Sequence, residues 1–87
     1  MRRDEIVTKV IEHLQEMFEL DAGSVSLDAR LREDLGLDSI DAVDMAAKME
    51  EMTGRRLDED DLRRIRTVAD VVEVVDKMLN AESESLR

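Results

Sequence analysis

Asp34-Leu35-Gly36-Leu37-Asp38-Ser39-Ile40-Asp41 marks the point where a long irregular connection gives way to a helix. Gly36 closes the connection. Beyond it, Met45, Met49 and Met52 recur on one helical face, and the spacing predicts a helix that opens around Asp38 or Ser39 and runs to about Thr53. Gly54 then supplies the left-handed residue on which helices commonly end. A serine at the mouth of such a helix, just after an anchored loop, is exposed and fixed in direction.

Working toward the N-terminus, the connection spans roughly 20 residues, Glu19 to Leu37, a length that needs anchoring in a small domain. Val25, Leu27, Leu31, Leu35 and Leu37 can dip into a core, and Asp28 can cap a helical turn that Gly36 terminates. Before it, Ile6, Val7, Val10, Ile11, Leu14, Met17 and Phe18 follow three- and four-residue steps, which predicts a one-faced helix from Asp4, its N-cap, to Phe18.

Toward the C-terminus, Asp58 with Asp61 reads as an acidic variant of the capping box, followed by Leu62 and Ile65 on one side of a short third helix. Thr67 with Asp70 repeats that capping pattern ahead of Val68, Val71, Val72, Val75, Met78 and Leu79. So many valines favour a strand by propensity, but the length, the cap and the period favour a helix. The fold expected is all-α, a four-helix bundle with a long loop between helices 1 and 2 and a short third helix. Residues 1–80 form the domain, and 81–87 read as a disordered polar tail.

Composition removes several classes of function. An 87-residue chain holds one small domain with a modest core. It has no Cys and a single His13, which is poor equipment for a metal centre or for side-chain catalysis, and His13 reads as a boundary residue. The net charge of -10 opposes binding to nucleic acid and anionic lipid and favours partners with basic surfaces. No apolar stretch has signal-peptide or membrane-spanning length, so a cytoplasmic monomer is expected. With Phe18 the only aromatic and six Met, the interior is aliphatic, thioether-rich and deformable.

The segment Gly36-Leu37-Asp38-Ser39-Ile40 resembles the acyl carrier protein family, in which Gly-x-Asp-Ser-(Leu/Ile) carries the serine that is modified with phosphopantetheine. The similarity runs from about Ile6 to Met78 and takes in the fourth-helix opening Arg66-Thr67-Val68. Two positions depart from the family pattern: Thr53 stands where Phe is common and Asp58 where Pro is common. Looser packing at those helix ends is expected.

The resemblance implies that Ser39 bears a covalent 4'-phosphopantetheine arm, transferred from coenzyme A by a phosphopantetheinyl transferase, and that the arm's thiol holds acyl groups as thioesters. No catalytic residue, metal or enzyme activity is implied. Asp38, Ile40, Asp41, Val43, Asp44 and Glu51 correspond to the family's recognition surface, offered to acyl-loading and elongating enzymes such as ketosynthases through their basic docking surfaces. Met45, Met49, Met52 and Ile65 are candidate walls of an acyl pocket, and each of these Met residues also reads as plain core. Fatty-acid or polyketide synthesis is the setting implied. Residues 52–57 and 66–72 narrow the resemblance to carriers of dedicated pathways such as aryl-polyene and xanthomonadin-type pigment synthesis.

Electrostatics acts on this site in two ways. A helix N-terminus favours a phosphate on Ser39 by about 0.3–1 kcal/mol, while the Asp38 and Asp41 carboxylates oppose it. From Asp38 to Thr53, five acids (Asp38, Asp41, Asp44, Glu50, Glu51) stand against Lys48, for a net of -4. Such a stripe is an ordinary solvated helix face unless a tether adjoins it, and then it steers fast, salt-sensitive docking. Residues 54–66 are nearly balanced by Arg55, Arg56, Arg63, Arg64 and Arg66.

Other readings fare worse. A hydrolase elbow lacks its flanking glycines here, and His13 would be the only imidazole base. A calcium loop begun at Asp58 would place Arg63 at the glycine position and Ala69 at the last carboxylate. An acidic helical adaptor with no covalent modification, on which Ser39 merely caps, remains the alternative.

Overall fold

The computed structural model describes residues 2–85, which form four α-helices: α1 (Arg3–Phe18), α2 (Ser39–Thr53), α3 (Glu59–Arg64) and α4 (Val68–Ser85). A single 3-10 turn, Ala22–Ser24, interrupts the α1–α2 connection. The four-helix architecture agrees with the sequence expectation, including the valine-rich α4. Its period of burial decides the matter: Val68, Val71, Val72 and Val75 are each at most 1% exposed and face the same side.

α4 is the central element and packs chiefly on α1, with α2 alongside. Ile6, Val10 and Leu14 of α1 and Met45 and Met49 of α2 close the core around the α4 valines. Exposed pairs lace the outside. Arg3 bonds Glu73 and lies 3.4 Å from Asp76, and Lys77 lies 3.2 Å from Asp61. Exposed ion pairs of this kind contribute only about 0–1 kcal/mol each.

The long connection is anchored as expected, though not by all the expected residues. Val25, Leu31, Leu35 and Leu37 are buried, but Leu27 is 41% exposed and Ala29 takes the inward place. Backbone pairing explains the exchange: Leu27 and Ala29 give their carbonyls to the N–H groups of Ala69 (2.9 Å) and Val68 (3.0 Å), and Leu31 N–H donates to Arg66 O (2.8 Å). A turn at residues 27–28, closed by the Ala29 N–H donating to Ser26 O (3.1 Å), breaks the alternation and leaves Leu27 outside while Val25, Ala29 and Leu31 stay inward.

Several local expectations are corrected. α1 begins at Arg3 with Arg2 as N-cap, not Asp4, and the Glu5 carboxylate accepts the Arg2 N–H (3.2 Å). In the turn before Gly36, the acceptor is Asp34, which takes the Arg30 N–H at 2.8 Å, rather than Asp28. Asp58 precedes α3 without a side-chain cap bond, and the Asp61 side chain is turned to Lys77 on α4. Ile65 lies just past the end of α3, in extended conformation. The Thr67–Asp70 box is formed as read, with reciprocal bonds of 3.1 and 3.2 Å. α4 continues to Ser85, past the boundary at residue 80 where composition places a tail. Leu86 and Arg87 of that expected tail lie outside the described residues.

Candidate functional site

Gly36, at φ +69°, makes the left-handed turn that an L side chain rarely adopts, and it delivers the chain to α2. Asp38 is the N-cap. Its Oδ1 accepts the N–H groups of Ile40 and Asp41, each at 3.0 Å, and the Asp41 carboxylate returns a bond from the Asp38 N–H at 3.1 Å. The Asp41 N–H foremost, with that of Ile40 adding to it, holds the Asp38 carboxyl below the usual aspartate range against the opposing effect of desolvation.

Ser39 is therefore the first helical residue and not the cap. It is exposed, and its hydroxyl makes no hydrogen bond among the described residues. This division of labour is local in origin: in Asp-Ser the carboxylate, with two acceptor oxygens, takes the orphan N–H groups and leaves the hydroxyl unengaged.

Ser39 opens onto a cleft of about 630 Å³ between the α1–α2 loop, the start of α2 and the α3–α4 junction. Leu31, Leu37, Met45, Leu62 and Ile65 give it apolar walls, while Arg30, Arg32 and Arg66 line it with cations. Of the four candidate pocket residues, only Met45 and Ile65 are brought to this cleft. Met49 and Met52 line a separate void of about 10 Å³ against α1, which Met45 also borders.

The candidate recognition residues lie on α2 and its cap. Ile40 is 71% and Val43 62% exposed, two apolar side chains left outside the core among the acids Asp38, Asp44 and Glu51. Asp41 is half-buried by its capping bond, and Glu51 pairs with Lys48 at 3.6 Å. Glu50 does not belong to the outward stripe: its Oε2 accepts the Leu57 N–H at 2.7 Å and fixes the α2–α3 loop. Thr53, at the position where Phe is common in the family, donates its hydroxyl to Met49 O (2.9 Å) and accepts the Arg55 N–H (3.2 Å). Polar bonds thus tie the helix end where looser packing was expected.

Sequence reasoning missed two features. The Arg lining of the cleft comes from segments far apart in the chain, and His13 has a buried Nδ1 without a partner among the described residues, facing the small Met-lined void. Periodicity carried no signal for either. The described residues hold no cluster of metal-ligating side chains, and none of their helices is long and apolar enough to cross a membrane.

Fold and site together define a small four-helix domain that displays an exposed serine hydroxyl, without a hydrogen bond among the described residues, at the start of α2. The model of the family described as "Phosphopantetheine attachment site" matches residues 8–75. Acyl carrier protein 2 of Ralstonia nicotianae is 44% identical over 81 residues, covering 93% of this chain and all of that protein. The acyl carrier protein of Thermotoga maritima is 39% identical over 77 residues, covering 88% and 95%. A crystal structure of an acyl carrier protein from Thermotoga maritima superposes with a TM-score of 0.78 at 29% identity, covering 94% of this chain and 95% of that one. The chain belongs to the acyl carrier protein family. It is a carrier and not a catalyst, and its cofactor is covalently attached 4'-phosphopantetheine.

Proposed function

We propose that Ser39 is the attachment point, and that acyl groups are held as thioesters on the arm for fatty-acid or related biosynthesis. The observation that carries this reading is that the Asp38 and Asp41 carboxylates do the capping, so the Ser39 hydroxyl stands exposed and uncommitted beside the cleft. The bound arm supplies a thiol that exchanges acyl groups. The protein contributes placement: Asp38 and Gly36 fix the direction of Ser39 Oγ, and the cleft walls, Met45 and Ile65 among them, shelter an apolar cargo from water.

No base of this chain serves Ser39. His13 sits on α1 against the Met-lined void, so the transferase takes the hydroxyl proton as Oγ attacks the phosphorus that bears the pantetheine arm; the pyrophosphate P–O bond of coenzyme A breaks and adenosine 3',5'-bisphosphate leaves. Asp38, Asp41, Asp44 and Glu51 steer basic enzyme surfaces toward Ser39, and Ile40 and Val43 supply the apolar contact that acids alone lack. Residues 52–57 and 66–72 support a dedicated pathway of the aryl-polyene or xanthomonadin type. Loading by the enzymes of such a pathway, in preference to those of housekeeping lipid synthesis, is the expected behaviour.

The direct test is intact mass after incubation with coenzyme A and a promiscuous phosphopantetheinyl transferase. The wild type is expected to gain one phosphopantetheine and Ser39→Ala none. Equal masses before and after for the wild type would instead favour the unmodified acidic adaptor, which the family match and the capping geometry disfavour.

A further inference from the structure

A phosphodiester on Ser39 would enter surroundings that are already anionic. The helix N-terminus offers it little, because the Ile40 and Asp41 N–H groups are both given to Asp38 at 3.0 Å, and the Asp38 N–H is given to Asp41. Within the first turn only the Ser39 N–H is left unused among the described residues. Glu33 lines the same cleft. An arm so placed would be expelled toward solvent unless cations meet its phosphate.

Three guanidinium groups line that cleft, and they are not equivalent. Arg30 is spent on Glu33 (3.5 Å) and Asp34 (3.3 Å). Arg32 and Arg66 are exposed and make no side-chain hydrogen bond or ion pair among the described residues. Their backbones are held side by side, since Leu31 N–H donates to Arg66 O at 2.8 Å and Arg30 forms an isolated antiparallel bridge with Thr67. In a chain of net charge -10, two unpaired guanidiniums anchored beside the tether serine are suited to a phosphate, which Arg binds in a bidentate fork.

From this juxtaposition we infer that Arg32 and Arg66 form a clamp for the phosphodiester of the arm, laying the arm along the cleft instead of releasing it to solvent. This rests on Ser39 being the attachment point. Release would then occur when a partner's basic surface competes for the same phosphate.

The full chain is loaded from coenzyme A carrying 15N-labelled amides, and mass confirms the modification. The heteronuclear NOE of the arm amides is then measured for the wild type, for Arg32→Gln with Arg66→Gln, and for Arg32→Lys with Arg66→Lys. In the wild type the amide nearer the phosphate is expected to be ordered at low salt. That order should be lost as the screening length falls from about 30 Å at 0.01 M to about 3 Å at 1 M.

The Gln pair is expected to be mobile at every salt concentration with an unchanged circular dichroism spectrum, and the Lys pair to recover part of the order. Equal order in wild type and Gln pair would overturn the clamp. So would order that appears only with a cargo bearing a terminal carboxylate, since the arginines would then read cargo and not phosphate. Absence of any mass gain would instead remove the attachment reading, and it is seen before the arm is examined.

Discussion

Asp38 and Ser39 are adjacent and both suited to capping, yet they end with opposite duties. The carboxylate, once it has accepted two N–H groups, is held in its charged form, so its folded pKa lies below the unfolded value near 3.9. Asp34 is held down in the same way, by the Arg30 N–H first and by the Arg30 guanidinium as well. For a carboxyl depressed in the folded state, the stabilisation is complete above the unfolded pKa and is lost as pH falls through the folded one. Melting temperature should therefore drop below about pH 4, and Asp38→Asn, which keeps an acceptor but no charge, should show a shallower acid limb. Ser39→Ala removes a hydroxyl with no partner and should leave stability within about 0.5 kcal/mol in urea denaturation while abolishing modification.

Among the elements, α2 and α4 open with reciprocal boxes and α3 does not, which assigns different sensitivities to their caps. Thr67→Ala removes the bond to the Asp70 N–H and is expected to cost about 0.5–2 kcal/mol in urea denaturation without slowing modification of Ser39. On α2, steering is tested better at Asp44 than at Asp41, because Asp41 also accepts the Asp38 N–H. Asp44→Lys should slow phosphopantetheine transfer at low salt with helical circular dichroism intact, and equal rates would remove the steering role. Glu50→Gln weakens the acceptor for Leu57 N–H, so faster hydrogen exchange at Leu57 is the expected outcome.

At the scale of the whole molecule, three walls of the interior are easily confused. Met49 is 2% exposed and faces α1, so Met49→Ala is expected to cost about 2–5 kcal/mol out of a total of about 5–15. Ile65 is half-buried on the cleft beside Ser39, and Ile65→Ala should cost less while leaving a bound acyl chain more exposed to water. The two variants separate folding from cargo by urea denaturation on the one hand and thioester hydrolysis rate on the other. His13, whose Nδ1 has no partner among the described residues, lines the Met-rich void between α1 and α2 and belongs to the same interior.

What residue order alone determined is whatever depends on neighbours within a turn or two: the helices from their periodicity, the ends of α2 from Asp38 and Gly54, the Thr67–Asp70 box, and the motif around Ser39. These are set by hydrogen bonds spanning three or four residues and by one-sided burial, so a linear string records them. Only tertiary structure decided that Leu27 faces out and Ala29 in, that Asp61 serves α4 instead of its own helix, and that Glu50 leaves the acidic stripe. It alone decided that Met45 and Ile65, but not Met49 and Met52, share a cleft with Ser39, and that Arg32 and Arg66 both line it. Apart from Glu50 and Leu57, which lie in one loop, the partners are distant in the chain, and packing of α4 against the α1–α2 loop selects among the local options.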